Sequence, residues 1–317
     1  MVIPYEVPLD SYLPFKKKIT YFLGYARFVR KIIDQNHYEK LIVLTTQTTI
    51  PLYGLLCGEY KGKYVYDYRD VTKENKIPGY RFLVQNLIRN SYCTMMSSRG
   101  FLREIGMKKS EKIQFDHNTR KAEKSLYHVR LNTNGSAPIR ISFWGQVRQI
   151  EFNKWLCDQF GNDSRFRLSF HGGGDIQKLK DYCTAKGYKN IAFSGVYDLI
   201  SVKKFAQETD ILHCVYQNDK VQTYAMPVKA YDAIRYRLPV MINKNSQVEK
   251  FYHGFSGAFA IEPGQEHLLD NIYKWYTGLN KEKVERGFLH LEERVFRDDL
   301  EFEKTLRSFI GKGAGDE

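Results

Sequence analysis

The chain has 317 residues, of which 43% are hydrophobic and 15% aromatic, so it can bury two cores and is not an intrinsically disordered polypeptide. Its formal net charge of +13 favours an anionic partner: a nucleic acid, an anionic membrane surface or a phosphorylated substrate. No zinc-finger spacing, aromatic-basic RNA-binding signature or basic-region heptad accompanies this charge, which argues against a reader of nucleic acid.

The cysteines and the N-terminal residues indicate the compartment. The five cysteines are widely spaced and none lies in a C-x-x-C pair, which favours reduced thiols that pack in the interior. The opening MVIPYEVPLD is not typical of a secretion signal, and no apolar run approaches the ~20 residues of a membrane span. We therefore expect a cytoplasmic protein, with the inner face of the cell membrane as a candidate place of attachment.

The N-terminal half alternates strands with helices. Ser97 and Ser98 are expected to cap the helix SRGFLREIG, which ends at Gly106. Lys16, Lys17 and Lys18 precede YFLGYARFVRKII (21–33), which is either an amphipathic helix that touches anionic lipid or an ordinary first helix with a solvated basic face. The predicted strands are 40–46, 63–68, 92–96 and 111–115, with helices near 50–58 and 77–90.

A charged and polar stretch at 119–138 suggests a domain boundary, after which the alternation restarts. The predicted strands are 139–145, 165–174, 190–195, 210–215, 239–243 and 257–261; helices are predicted near 149–160, 175–187, 198–207, 228–236, 265–278 and 281–311. Strands that alternate with helices predict an α/β chain with parallel sheets, whose ligands bind beyond the carboxyl ends of the strands.

Five segments carry recognisable motifs in a fixed order: ISFWGQVR (141–148), LSFHGGG (168–174), FSGVYD (193–198), DILHCVY (210–216) and MPVKAYDAIRYRLPVM (226–241). In motif and order they resemble the nucleotide-sugar-binding half of GT-B glycosyltransferases, closest to the large retaining, family 4-like group of bacterial capsule and exopolysaccharide synthesis. The resemblance implies two Rossmann-like domains that face a cleft: an acceptor-side domain at 1–135, a donor domain at 136–280, and a helix at 281–317 that crosses back to the first domain and ends in a disordered tail.

The N-terminal half resembles the family more weakly, through YDYRD (66–70), Ser97-Ser98 before GFL, and FDHN (115–118). The usual first strand and its glycine-rich loop are missing, so this domain is expected to be shortened. Arg69, Asp70 and His117 are the acceptor-side candidates, although His117 equally fits a structural role. The family's E-x7-E motif is incomplete, because Tyr224 and Asp232 stand at its two positions.

The start of the predicted helix at 228–236 fits a diphosphate. Pro227 favours the first helical position, and Lys229 in the first turn opposes the helix dipole, which indicates an anionic ligand there. Asp232 lies three residues further on the same face and is a candidate to accept hydrogen bonds from ribose hydroxyls. The alternative is an ordinary surface pair between Lys229 and Asp232.

Glycines at two strand ends complete the candidate donor site. Gly145 lets backbone approach a phosphate, which Arg148 would clamp. Further nucleotide-sugar-binding candidates are Gln146, Gly172, Gly173, Val196, Tyr197, Tyr224 and Met226, with Val196 and Tyr197 placed for the nucleobase. The alternatives are a solvated loop arginine, a tight glycine turn, and packing of Val196 and Tyr197 on the next helix.

These candidates predict a metal-independent transferase without a cofactor, in which Lys229 and Arg148 neutralise the departing diphosphate. Asp67 and Asp70 are separated by strand alternation, and no clustered Cys/His site is found, so no metal is expected. The expected partners are a nucleotide-sugar donor and a glycan or polyprenyl-diphosphate-linked acceptor. The alternatives are a sugar-nucleotide epimerase or phosphorylase on the same fold, and a non-catalytic or nucleic-acid-binding basic protein.

Overall fold

The computed structural model describes residues 2–6, 15–72, 76–117, 119, 125–135, 137–217 and 223–311. The chain divides into two compact units: Met1–His117 with Asp298–Glu317, and Asn118–Arg297. Among the described helices, none has the length and apolar character that crossing a bilayer requires.

The first unit is built on a four-stranded parallel sheet in the order β1-β2-β3-β4. Its strands are Leu41–Leu44 (β1), Tyr64–Tyr68 (β2), Cys93–Met96 (β3) and Ile113–Phe115 (β4). Its helices are Phe15–Asn36 (α1), Thr46–Thr49 (α2), Tyr53–Cys57 (α3), Tyr80–Asn90 (α4) and Gly100–Ile105 (α5), with a 3-10 turn at Ile50–Leu52. Every residue of β2 is buried, as expected for a central parallel strand covered on both faces.

The second unit holds a six-stranded parallel sheet in the order β10-β9-β8-β5-β6-β7. Its strands are Ile139–Val147 (β5), Phe166–Gly174 (β6), Ile191–Ser194 (β7), Ile211–Cys214 (β8), Val240–Asn243 (β9) and Ala258–Ile261 (β10). The helices are Ile150–Phe160 (α6), Ile176–Ala185 (α7), Ser201–Gln207 (α8), Val228–Tyr236 (α9), Gln247–Phe251 (α10), Leu268–Thr277 (α11) and Lys281–Ile310 (α12).

Neighbouring side chains of β5 point into two different cores of the second unit. Phe143 packs with Ile141 in one apolar cluster, whereas Trp144 packs in the other with residues of α9. This alternation is the two-residue period of a strand that is covered on both faces. It places Trp144 directly beneath helix α9, which carries the main candidate site.

All ten predicted strands are present, and the expected α/β architecture with two parallel sheets is confirmed. Two short helices were not predicted: α2, and α10, which begins after Ser246. Of the two serines expected to cap helix α5, Ser98 accepts a hydrogen bond from the N–H of Gly100. Ser97 does not cap the helix, because its hydroxyl donates to the carbonyl of Arg69.

The division between the units falls after His117 and after Arg297, rather than at 135/136 and 280/281 as the sequence suggested. The first difference arises because residues 125–135 pack on the second unit: Val129 is fully buried, and its N–H donates to Glu285. The second arises because α12 is continuous, and its residues up to Arg297 belong to the second unit while those from Asp298 belong to the first.

Candidate functional site

The ends of β5 and β6 form a bare backbone surface in the second unit. Gly145 and Gly172 are register partners, with φ angles of +133° and +143°. A Cβ atom on Gly172 would lie 1.8 Å from the carbonyl oxygen of Gly145, so no other residue fits there. Gly173 is the next residue of β6, and the Gln146 amide lies beside it, 3.2 Å from where its Cβ would be.

Helix α9 begins at the carboxyl end of the same sheet. Pro227 is its N-cap residue, with extended φ and ψ of −70° and 146°, rather than its first helical residue as predicted. The N–H of Ala230 donates to the Pro227 carbonyl, and no side chain caps the helix among the described residues. The first amides of α9 therefore keep the partial positive charge of an uncapped helix start.

The ammonium of Lys229 points back into the unit, over β5. Its Nζ atom lies 4.0 Å from the centre of the Phe143 ring and 5.1 Å from that of Tyr216. It also lies 3.2 Å from the position of a Cβ on Gly145, so it lies against the bare backbone described above. Within the described part of the chain, Lys229 forms no salt bridge, and its ammonium lies over aromatic rings instead.

This environment changes the pKa of Lys229. Burial lowers the pKa to about 8, and the positive charge of Arg148 adds to the effect, whereas Cys214 and Asp232 oppose it. An amine with this pKa is largely protonated at neutral pH but is poorly compensated. A bound anion would supply the missing compensation.

Asp232 does not pair with Lys229 and instead bonds to a residue of the sheet. Its Oδ2 atom accepts a hydrogen bond of 2.8 Å from the indole Nε1 of Trp144, which is buried. The alternative of an ordinary pair between Lys229 and Asp232 is therefore wrong. The ribose-binding role of Asp232 stays a prediction. One oxygen of its carboxylate already accepts the hydrogen bond from the Trp144 indole.

Arg148 follows β5 and is exposed, and it makes no ion pair among the described residues. Its charge acts on both Lys229 and Tyr216, so the two cations share one end of the sheet. Gln149 follows in the left-handed region with φ +57° and begins helix α6. The structure thus brings Gly145, Arg148 and Lys229 together, as the sequence predicted.

Two polar side chains that the sequence analysis missed hold the segment after β8. Asn243 accepts the N–H of Tyr216 at 2.8 Å and donates to its carbonyl, and Gln149 accepts the N–H of Gln217 at 2.9 Å. These bonds fix the Tyr216 ring next to Lys229. Residues 218–222, between β8 and α9, lie outside the described residues, and the candidates Tyr224 and Met226 that follow are partly buried and buried.

His213 is a third residue that the sequence analysis missed. It is fully buried in β8, its ring centre lies 5.4 Å from that of Phe143, and its Nδ1 accepts the N–H of Val215. Burial and the nearby charge of Lys229 lower its pKa to about 3, so the ring is neutral. No partner for its Nε2 is present among the described residues.

The candidates for the nucleobase, Val196 and Tyr197, follow the end of β7. Val196 is 86% exposed, whereas Tyr197 packs edge-on against Phe205 of α8 at 5.2 Å. His171 stacks on the same Phe205 at 3.8 Å, and its Nδ1 lies 2.7 Å from the Ser194 hydroxyl. Val196 is therefore available to a ligand, while Tyr197 has the packing role that was its alternative.

The acceptor-side candidates of the first unit are mostly occupied by internal ion pairs. Arg69 bonds to Asp67 at 2.9 Å and to Asp116 at 3.1 Å, while Asp70 is exposed. The buried His117 lies 2.8 Å from Asp298 through its Nε2. His117 thus has the contacts of its structural alternative. Within the described residues, no group of three or more His, Cys, Asp or Glu side chains is placed to hold a metal ion.

No protein-family model matches the sequence, and no curated protein is significantly similar to it. Solved structures are similar in fold. HepE from Anabaena, in complex with UDP, is 14% identical with a TM-score of 0.66, over 89% of this chain and 82% of that one. Sucrose-phosphate synthase from Thermosynechococcus elongatus is 11% identical with a TM-score of 0.66, over 94% and 80%. The lipopolysaccharide outer core galactosyltransferase WaaB is 11% identical with a TM-score of 0.64, over 93% and 82%.

These similarities define the class to which the fold belongs. The two parallel-sheet units are those of the GT-B glycosyltransferase fold, which confirms the architecture predicted from the ordered motifs. At these identities the likeness establishes the fold, and the activity has to be argued from the residues of the site.

Proposed function

We propose that this protein is a glycosyltransferase that moves a sugar from a nucleoside-diphosphate sugar to a glycan or a lipid-linked acceptor. Departure of the nucleoside diphosphate leaves negative charge on its phosphates, and the enzyme has to stabilise that charge with groups already in place. The proposal depends on whether the second unit presents such groups at one point.

The observation that carries the proposal is the ammonium of Lys229, which has no carboxylate partner among the described residues and lies against the bare backbone of Gly145. The uncapped start of α9 and the exposed Arg148 add positive charge at the same end of the sheet. An anion placed there would be met by an ammonium, a guanidinium and helix amides, the usual donors for a diphosphate. In the reaction, Lys229 and Arg148 stabilise the leaving group.

The finer features of the proposal rest on resemblance and on the structural neighbours. HepE was crystallised with UDP and with UDP-glucose, and WaaB is named as a lipopolysaccharide galactosyltransferase. These names support a UDP-sugar as the first donor to test and surface polysaccharide synthesis as the setting. Retention of anomeric configuration and independence of metal belong to the same proposal.

Ligand-dependent thermal shift tests the donor site. The chain is screened with UDP-, GDP-, CMP- and dTDP-sugars, and at least one of them is expected to raise the melting temperature, as any ligand of the folded state does. Lys229→Ala should abolish that shift. Lys180→Ala, which removes an exposed lysine of α7, should retain it. If no nucleotide stabilises the protein, or if both variants respond equally, the donor site is not at Lys229.

Helix α1 supports a lipid-linked acceptor. Ile19, Phe22 and Leu23 are 43%, 44% and 55% exposed, and the exposed Arg27 and Arg30 follow on the same helix. Exposed apolar side chains next to basic ones are typical of helices that lie on anionic membranes. Flotation with vesicles of phosphatidylcholine, with and without phosphatidylglycerol, should show binding that requires the anionic lipid. Equal behaviour on both vesicles would exclude this part of the proposal.

A further inference from the structure

The phenol of Tyr216 lies beside the candidate donor site. Its ring centre is 5.1 Å from the Nζ of Lys229, and the ring packs edge-on against Phe143 with centres 6.4 Å apart. Within the described ranges, the hydrogen bonds of Tyr216 are made by its backbone, and its hydroxyl bonds to no other residue. The side chain is only partly buried, so this hydroxyl is available to a ligand.

The backbone that carries this ring is held on both sides of β8. The N–H and the carbonyl of Tyr216 both bond to the side-chain amide of Asn243, and the next N–H along the chain donates to Gln149 at 2.9 Å. Asn243 ends β9 and Gln149 follows β5, the two strands that flank β8. A ring on a backbone fixed in this way loses little conformational entropy when it contacts a ligand.

The hydroxyl of Tyr216 remains a hydrogen-bond donor at neutral and mildly basic pH. Burial raises the pKa of Tyr216 well above 10, and the positive charge of Arg148 opposes this shift without cancelling it. Arg148 also acts on Lys229, so the phenol shares this end of the sheet with both cations. A hydrogen bond from a neutral O–H to an anionic oxygen is stronger than one between two neutral groups.

We propose that the Tyr216 hydroxyl is a ligand-binding group that donates a hydrogen bond to a phosphate oxygen of the donor's diphosphate, next to Lys229. This inference rests on the proposed function, because the diphosphate is the anion which that function brings to Lys229. An anion in contact with the ammonium is within reach of a hydroxyl on the neighbouring ring. Lys229 supplies a point charge, whereas the phenol adds a directed bond that fixes where the diphosphate lies.

Tyr216→Phe tests the inference, because it removes the hydroxyl and keeps the ring that Lys229 contacts. The affinities of the native protein and the variant for UDP are measured by calorimetry at pH 7. Loss of a hydrogen bond to a charged group should weaken UDP binding about tenfold. Tyr38→Phe, at a position of the first unit that is 44% exposed, is the matched control and should bind UDP like the native protein.

Two further measurements separate a direct contact from a general effect of the substitution. The pKa of Lys229, read in the unliganded protein from carbon-13 shifts of labelled lysine, should be the same in Tyr216→Phe as in the native protein, because the ring stays in place. The phosphorus-31 signals of bound UDP should differ between the two proteins, because a phosphate oxygen has lost its hydrogen bond. Lys229→Arg assigns the lysine signal.

The outcomes separate this inference from the proposed function. If the native protein binds no nucleoside diphosphate, the proposed function fails and the inference fails with it. If the native protein binds UDP and Tyr216→Phe binds it equally well, the function stands and the inference alone is overturned. A loss of affinity for UDP-glucose but not for UDP would place the hydroxyl on the sugar, and a changed Lys229 pKa would mean that it acts through the ammonium. Either result overturns the inference as well.

Discussion

The ammonium of Lys229 lies 4.0 Å from the centre of the Phe143 ring. Asp232, one turn further along the same helix, accepts a hydrogen bond from Trp144 instead of pairing with Lys229. An aromatic face compensates a cation less well than a carboxylate does, so the arrangement gives up stability in the unliganded protein. The same arrangement leaves the full charge for an incoming anion. This is the relationship on which the donor site depends.

The first prediction concerns the pH dependence of binding. Burial lowers the pKa of Lys229 from 10.5 to about 8, so the ammonium is present below that pH and is lost as the pH rises through it. UDP affinity, measured by calorimetry from pH 6.5 to 9.5, is expected to fall about tenfold per pH unit once the ammonium deprotonates. The decline should be absent in Lys229→Arg, whose guanidinium stays charged. A flat profile in the native protein would mean that Lys229 does not contact the ligand.

The second prediction concerns Gly145. A Cβ there would lie 3.2 Å from the Nζ of Lys229, and its φ of +133° is strained for any other residue. Gly145→Ala should therefore weaken UDP binding at least tenfold and lower the free energy of unfolding by about 1 kcal/mol or more. Gly54→Ala in α3, where a Cβ meets nothing within 4 Å, is the matched control and should bind UDP normally. Equal affinities in the two variants would contradict the proposed geometry.

The sequence was sufficient for the strands and for the grouping of Gly145, Arg148 and Lys229. Period-two apolar runs define strands, and the rule that ligands bind at their carboxyl ends places the loops together. The bond between Trp144 and Asp232 was not predictable in the same way. It joins residues 88 positions apart in the chain. It forms only because helix α9 packs on the face of the sheet to which Trp144 of β5 points, and the sequence does not specify that packing.

The third prediction concerns acid stability. His213 is buried and neutral, and its pKa is lowered from 6.5 to about 3 in the folded state. The unfolded chain therefore binds a proton that the folded chain does not, so the stability contributed above pH 6.5 is lost as the pH falls toward 3. The loss should approach about 1.4 kcal/mol per pH unit below 6.5.

His213→Leu isolates this effect. Urea unfolding at pH 7 and pH 5 should show a drop in the native protein that is smaller in His213→Leu by about 2 kcal/mol. His253→Leu, at an exposed position, should behave like the native protein. The assignment to His213 would be refuted by drops of equal size in all three proteins.

The fourth prediction concerns Arg237 at the end of α9. Its side chain is 2% exposed and forms salt bridges to Glu292 at 2.7 Å and to Glu285 at 3.6 Å. Its backbone is in the left-handed region, with a φ of +55°. Arg237→Met leaves both carboxylates without their buried partner and should cost about 3 kcal/mol in the free energy of unfolding. Arg235→Met, at an exposed site on the same helix, should change it by less than about 0.5 kcal/mol. Chemical denaturation measures the free energy of unfolding of both variants. Equal losses in the two would show that the buried salt bridges of Arg237 do not contribute to stability.

The remaining differences between expectation and structure have local causes. Helix α10 was missed although Ser246 and Glu249 have the spacing of a capping box, and the Ser246 hydroxyl does accept the Glu249 N–H. The roles of Asn243 and Gln149 were not predictable, since each holds backbone atoms of a segment far away in the chain. These long-range hydrogen bonds depend on the register of the folded sheet, which residue types alone do not specify.

The final helix has a consequence for how the protein is made. Its last turns return to the first unit, where Phe309 is buried against Val65 and Cys93, and Asp298 pairs with His117. A ribosome synthesises residues 1–117 first and these late residues only after the whole of the second unit. Val65 and Cys93 of the first sheet therefore emerge before Phe309 can cover them, and the second unit can finish folding before the first one does.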